Sequence, residues 1–268
     1  MKIATWNING IKARIDNLLA WLEQESPDIA CLQEIKSVDE NFPREAIEAL
    51  GYNVETHGQK GFNGVALLSK IAFEEVNRGL PGDDGDEQAR FIEGVISFGG
   101  KPLRVVSLYL PNGNPVDSEK FPYKLSWMAR LEAWTRERLL LEEALILAGD
   151  YNVIPQPEDC HDPAAWEGDA LFRPESRTAF RNLYNLGLTE AIRSVTDNPG
   201  IYTFWDYQGG AWQKNNGIRI DHLLLSPEAA NLFAEAGVDR HTREWEKPSD
   251  HVPAWVRLAE RETDRKAA

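Results

Sequence analysis

Five times along this chain an apolar run ends on a carboxylate, an amide or an imidazole: Trp6-Asn7-Ile8-Asn9-Gly10, Cys31-Leu32-Gln33-Glu34, Leu147-Ala148-Gly149-Asp150-Tyr151-Asn152, Ile218-Arg219-Ile220-Asp221-His222 and Ser249-Asp250-His251. A buried run reads as a strand, and polar groups at strand ends sit where loops on a rigid scaffold carry chemistry. An ionised group at such a position is expensive unless it is paired or holds a metal. The five ends are therefore expected to converge on one polar, acid-rich site.

The rest of the chain is read around those ends. Ile11, Ile15, Leu18, Leu19 and Leu22 recur at helical spacing after Asn9-Gly10 and stop at Ser26-Pro27, which predicts an amphipathic helix. Ser126 to Glu143 and Ala179 to Leu186 also read as helices. Strands are expected over Ile29 to Leu32, Val65 to Leu68, Gly94 to Phe98, Leu103 to Leu110, Leu145 to Ala148, Ile218 to Leu225 and Val252 to Leu258. Strands and helices mix without strict alternation, and short polar turns join several strand pairs. Mixed or antiparallel sheets covered by helices fit this better than a doubly wound parallel sheet.

With 268 residues and 42% hydrophobic content, the chain can bury one large core without disulfides. No Pro/Gly/Ser-rich or polar linker divides it near the middle, so one domain over 1–259 is expected, followed by a charged tail at 260–268. The acidic loop Asp83-Asp84-Gly85-Asp86-Glu87 reads as a solvated segment. Two cysteines, Cys31 and Cys160, make neither a disulfide framework nor a zinc spacing. No apolar run approaches a membrane span, and the chain opens on Lys2-Ile3-Ala4-Thr5-Trp6 without a signal-peptide core. The expectation is a reduced, cytoplasmic protein with no membrane contact, and a monomer. A net charge of −14 argues against a general polyanion binder, whose affinity comes from cations. Acid-rich metal sites add negative charge of their own, so a nuclease is not excluded.

Asp150 and Asn152 are two apart, so in an extended segment both leave one face while Tyr151 points away. A carboxylate can take a proton from water or bind a hard cation, and the amide can donate to a phosphate oxygen. The same Gly-Asp-x-Asn is also turn chemistry. Glu34 is most economically a divalent-cation ligand, with an exposed acid or an ion pair to Lys36 as the alternatives. Asp221 and Asp250-His251 offer a carboxylate for a metal and an imidazole that a second carboxylate can orient; capping is the blander reading. Tyr109 and Asn112, where a strand leaves for a turn, can reach a phosphate or simply pack. Trp212, between Gly209-Gly210 and Gln213-Lys214-Asn215-Asn216-Gly217, reads as an exposed loop aromatic able to wedge against bases.

Taken together these residues resemble the exonuclease III family of abasic-site endonucleases, within the superfamily that includes DNase I and the inositol phosphatases. Seven motifs carry the resemblance, in order over nearly the whole chain: Trp6-Asn7-x-Asn9-Gly10, Leu32-Gln33-Glu34-x-Lys36, Tyr109-x-Pro111-Asn112-Gly113, Gly149-Asp150-x-Asn152-Val153, Ile201-Tyr202-Thr203-Phe204-Trp205, Arg219-Ile220-Asp221 and Ser249-Asp250-His251.

The resemblance implies a four-layer α/β sandwich: two mixed β-sheets face to face with helices outside. It implies Mg²⁺, with Mn²⁺ as a substitute, held by Glu34 with Asp250 and Asn7 and with Asp150 and Asn152 in the same metal site. Asp150 would be the general base; Asn152, Tyr109 and Asn112 would contact phosphate. His251, oriented by Asp221, would donate to the scissile phosphate, although some family mechanisms make that pair the base. Asn9, Lys36 and Trp212 would meet DNA, and Phe204, Ile218 and Ile220 would line a pocket for the flipped sugar. The implied reaction is in-line attack by water on the phosphorus 5′ to an abasic site in duplex DNA, leaving a 3′ hydroxyl and a 5′ deoxyribose phosphate. Trimming of blocked 3′ ends and 3′→5′ strand degradation are implied beside it. A phosphatase acting on an inositol phosphate or lipid headgroup is the alternative within hydrolases. A catalytically inactive DNA-binding module is the alternative outside them.

Overall fold

The computed structural model describes residues 1–259; the tail expected at 260–268 lies outside the described residues. The first half of the chain runs β1 (Lys2–Asn7), α1 (Ile11–Glu25), β2 (Ile29–Gln33), α2 (Arg44–Glu48), β3 (Asn53–His57), β4 (Val65–Ser69), β5 (Glu75–Arg78), β6 (Phe91–Phe98), β7 (Lys101–Tyr109) and α3 (Lys120–Leu139). The second half runs β8 (Ala144–Asp150), α4 (Pro163–Trp166), α5 (Pro174–Tyr184), β9 (Thr189–Glu190), α6 (Ala211–Lys214), β10 (Asp221–Leu225), α7 (Pro227–Ala230), β11 (Phe233–Val238) and β12 (Ala254–Leu258).

Two six-stranded sheets form, in the orders β11-β12-β1-β2-β4-β3 and β5-β6-β7-β8-β10-β9. Each is mixed: β1 and β2 are parallel in the first, β7 and β8 in the second, and the other pairs are antiparallel. The first sheet draws strands from both ends of the chain, so it cannot close until the C-terminal segment returns beside β1.

Alternation along the strands sorts the side chains into layers. Ile3, Cys31, Val65 and Val256 of the first sheet meet Ile92, Val105, Ile146 and Leu223 of the second in a shared inter-sheet core. On the outer face of the first sheet, Ala4, Trp6, Leu32 and Leu68 pack on Leu18, Trp21 and Leu22 of α1. On the outer face of the second, Val106, Leu108, Leu145 and Leu147 pack on Trp127 and Leu131 of α3 and on Phe180 and Leu183 of α5. The result is the expected four-layer sandwich. Among the described residues no helix is long and apolar enough to cross a membrane.

Strands buried on both faces, such as β2, β4 and β8, are the ones legible as continuous apolar runs. Edge strands β3, β5 and β11 keep one face partly in water and are correspondingly polar, so periodicity does not announce them. Several expected boundaries move. The strand predicted from Ile218 enters its ladder only at Asp221; Ile218 makes isolated bridges to Cys160 and Phe204 instead. The helix expected over 126–143 begins at Lys120 and ends at Leu139, leaving Leu140 exposed. That expected over 179–186 begins at Pro174, which occupies its first turn. Gly149 is required by close approach: a Cβ there would lie 2.0 Å from the Leu108 carbonyl oxygen on β7.

Candidate active site

Strand register assembles the site. Asp150 ends β8 directly opposite Tyr109 of β7 and Asp221 of β10, so three adjacent strands present these side chains at one end of the second sheet. In the first sheet, Asn7 pairs with Gln33 at the corresponding end, with Glu34 following. The two rows are stitched across the sheets by Asn7, whose Nδ2 donates to Glu34 Oε1 and to Asp150 Oδ2, both at 2.9 Å.

The segment 249–251 is fastened to the same edge. Ser249 Oγ donates to the Asn7 carbonyl at 2.6 Å, His251 N donates back to Ser249 Oγ, and Trp6 Nε1 donates to the His251 carbonyl. His251 Nδ1 then lies 2.8 Å from Asp221 Oδ2, and its Nε2 lies 3.7 Å from Asp150 Oδ2. Thr203 Oγ1 accepts from the backbone N–H groups of Ile220 and Asp221, holding Asp221 in place. Four residues of the site adopt left-handed backbone: Asn9 (φ 49°), Glu34 (φ 48°), Lys36 (φ 51°) and Asn152 (φ 47°). Such conformations are unfavourable for residues other than glycine and cluster where surrounding structure enforces them, often at functional sites.

The electrostatics follow from burial and proximity. Burial pushes the Asp150 carboxyl up; a charged His251 pulls it back and Asp221 adds to the rise, leaving it at about 7. Burial opposes charge on His251, but Asp221 and Asp150 outweigh it and lift the imidazole to about 10. Glu34 is also opposed by burial, yet the Asn7 amide and the Lys36 ammonium, 2.9 Å away, hold it below its ordinary value. Burial, with the charges of Glu34 and Asp150, keeps the Tyr109 phenol protonated well above its usual range. Asp221→Asn is expected to return the His251 pKa toward the ordinary imidazole value of about 6.5. A ring ¹⁵N NMR titration checks this; an unchanged pKa would show that Asp221 is not what charges the ring.

A cleft of about 250 Å³ opens over this edge, lined by Glu34, Tyr109, Asn112, Asp150, Asn152, Asp250 and His251 on its polar side. Phe204 and Ile220 line it too, as expected, together with Trp166 and Leu171, which sequence reasoning missed. Trp166 sits at the end of the four-residue α4, too short for a periodic signal.

Several expectations are corrected. β8 ends at Asp150, and Asp150 Oδ1 accepts from Asn152 N at 2.9 Å, so the segment turns rather than staying extended. Both side chains still reach the cleft, while Tyr151 is buried against Phe180 and His222. Ile218 is 1% exposed, bridges Phe204 through its backbone, and is not among the residues that line the cleft. Trp212 is not a free loop aromatic: it belongs to α6, stacks edge-on against Trp205 at 4.8 Å, and lies under the Arg240 guanidinium. Lys36 and Asn9 are half-buried and engaged within the site, Lys36 bonding to Glu34 and Asn9, and Asn9 Nδ2 donating to Asp250 Oδ1 at 3.0 Å.

The donor chemistry fits a hard divalent cation. Glu34, Asp150 and Asp250 bring carboxylate oxygens to one cleft, and Asp150, Asp221 and His251 place ligand atoms within 4.8 Å of one another. Oxygen donors of this kind suit Mg²⁺, Mn²⁺ or Ca²⁺ rather than a soft metal.

Comparison with known proteins agrees with this geometry. The model of the endonuclease/exonuclease/phosphatase family matches residues 4–251. An exodeoxyribonuclease III from Haemophilus influenzae is 36% identical over 264 residues, covering 96% of this chain and 99% of the relative. Among solved structures, the 3′ phosphatase NExo from Neisseria, bound to a product DNA hairpin, superposes with a TM-score of 0.92 at 37% identity, covering 96% of this chain and 99% of its own. An AP endonuclease from Archaeoglobus fulgidus superposes with a TM-score of 0.91 at 36% identity, over 96% and 99% of the two chains.

Proposed function

Because this chain belongs to the endonuclease/exonuclease/phosphatase family, and within it to the exonuclease III group, we propose that its cleft hydrolyses the phosphodiester 5′ to abasic sites in duplex DNA. It is a divalent-metal-dependent DNA-repair nuclease with AP endonuclease and 3′→5′ exonuclease activity. Trimming of blocked 3′ ends belongs to the same reading, as do Mg²⁺ as the ion, a single domain over 1–259, and a monomeric, cytoplasmic enzyme. The single observation that carries the reading is the joined row of Glu34, Asn7, Asp150, His251 and Asp221 along one edge of the sandwich.

In this reading a phosphate sits over the polar side of the cleft. Glu34, with Asp250, would hold the divalent ion, which would supply charge neutralisation for the phosphate and the leaving 3′ oxygen. Asp150, with a pKa near neutrality, accepts the proton of the attacking water. Asp221 and Asp150 favour the charged form of His251, which suits it to donate to a phosphate oxygen. Asn152 uses one N–H on the Leu110 carbonyl and Asn112 one on Asn152 Oδ1, which leaves each amide a second N–H for phosphate oxygens. Phe204, edge-on to His251 at 5.0 Å, with Ile220, Leu171 and Trp166, forms an apolar wall against which a base-less sugar can rest. Extruding such a nucleotide requires less unstacking than extruding an intact one.

The test is cleavage of a labelled duplex carrying one abasic-site analogue, beside an undamaged duplex, with Mg²⁺ and with EDTA. Incision immediately 5′ to the analogue, abolished by EDTA, is the expected result. Folded, metal-loaded protein that cuts neither duplex would turn attention to phosphorylated small molecules.

A further inference from the structure

Lys124, on α3, is the one fully buried lysine among the described residues: its exposure is 0%. Its Nζ donates to the Asn152 carbonyl at 2.5 Å and to the Asn112 carbonyl at 3.1 Å, and among the described residues it makes no ion pair. An ammonium taken out of water without a counter-ion is among the least favourable placements a protein can make, and a methionine would fill the same volume without it. Burial drives this lysine down to about 7, with the more distant Asp150 and Asp169 pulling it back up. Packing alone therefore does not account for the residue.

What Lys124 touches does account for it. The two carbonyls belong to the two residues whose side-chain amides face the cleft and bond to each other, Asn112 Nδ2 to Asn152 Oδ1 at 3.2 Å. Asn152 holds a left-handed backbone at φ 47°, and Asn112 is exposed on a loop. Neither conformation is secured by a ladder. The stem of Lys124 also fills the space beside Gly113, where a Cβ would meet Lys124 Cδ at 2.7 Å. The lysine itself is carried on a twenty-residue helix packed against the second sheet.

We propose that Lys124 is a positioning residue: from behind the cleft wall it grips the backbones of Asn112 and Asn152 and so holds their two amides as one preorganised phosphate cradle. The proposal deepens the reading of Asn112 and Asn152 as phosphate contacts and rests on it. Sites held by a supporting shell on rigid elements lose rate when that shell is removed, even though every contacting group is still present.

The experiment replaces Lys124 by methionine and by glutamine, and compares each folded variant with the parent on the abasic duplex. The expected result is a kcat lower by roughly tenfold to a hundredfold, the range for losing an outer-shell partner that orients a site residue, with KM changed less than about threefold and Tm close to the parent's. In an Asn112→Ala background the same change should cost less than in the parent, because one of the two amides that Lys124 holds in place is already gone while the Asn152 amide remains. A folded Lys124→Met enzyme with kcat within threefold of the parent overturns the proposal, as does full additivity with Asn112→Ala. Failure of both variants to fold assigns the residue to folding and overturns it as well. An inactive parent would instead defeat the functional reading; calorimetric affinity for inorganic phosphate then decides for Lys124, about tenfold weaker binding in the variant being expected and equal binding overturning it.

Discussion

Asp150→Asn is expected to lower incision roughly 10²- to 10⁴-fold, the range for loss of a general base, while binding of an abasic duplex stays within a few-fold of the parent. The argument starts from register: Asp150 stands between Tyr109 and Asp221 and touches both sheets through Asn7. Both of its oxygens accept hydrogen bonds, Oδ1 from Asn152 N and Oδ2 from Asn7 Nδ2. An amide of the same shape keeps the volume but sets an NH₂ against one of those donors, a mismatch of about 1–3 kcal/mol that a folded domain of this size tolerates. Chemistry suffers more, because burial that raises Asp150 to about 7 poises it to take a proton, and an amide has no such capacity. Single-turnover cleavage and fluorescence anisotropy on the same duplex separate the two effects. Turnover within tenfold of the parent would remove Asp150 from the role of base and hand it to the His251–Asp221 pair.

Asp159→Asn should destabilise the fold by about 3–5 kcal/mol, the usual effect of breaking a buried ion pair. Asp159 is 0% exposed; its Oδ1 accepts from Arg219 Nε at 2.8 Å and Arg193 Nη2 at 2.5 Å. Arg219, itself buried, also pairs with Glu190 at 2.9 Å and bonds to His222. Without the Asp159 charge, the buried Arg219 keeps Glu190 as its counter-charge and the partly exposed Arg193 guanidinium loses its carboxylate. Burial alone would raise Asp159 and Glu190, but Arg219 and its neighbours hold both below their ordinary values. A carboxylate depressed in the folded state stabilises above its unfolded pKa of about 4, and that contribution is lost as the pH falls through the lower folded value. Urea denaturation of parent and variant at pH 7 and at pH 3 checks both parts. The difference should be large at pH 7 and smaller at pH 3; a difference under 1 kcal/mol at pH 7 would show that the network adds little net stability. The site should feel the change too, since Arg219 N donates to the Asp159 carbonyl and Asp221 follows two residues on.

Much of the architecture was legible because burial leaves a compositional trace. The interiors of β2, β4 and β8 are apolar on both faces, and α1 repeats its apolar residues every three or four positions. Asn7, Glu34, Asp150, Asp221 and His251 were legible for the opposite reason: a polar group closing such a run has no cheap explanation but a partner. Edge strands β3 and β11 left no such trace, since half of each meets water.

What the sequence determined by itself, then, was the set of apolar runs and the polar groups that end them, because hydrophobic spacing and charge placement are local properties of the chain. Partnership was decided only in the tertiary structure. Trp212 looks like a loop aromatic until Trp205 and Arg240 pack against it; Lys36 is only one candidate partner of Glu34 until the two are seen 2.9 Å apart; Lys124 lies ahead of the helix expected from Ser126 until α3 begins at Lys120 and docks it behind Asn112 and Asn152. His251 meets Asp221 across 30 residues and its carbonyl meets Trp6 across 245. Such contacts depend on strand register and on how two sheets close over one core, which no window of sequence contains.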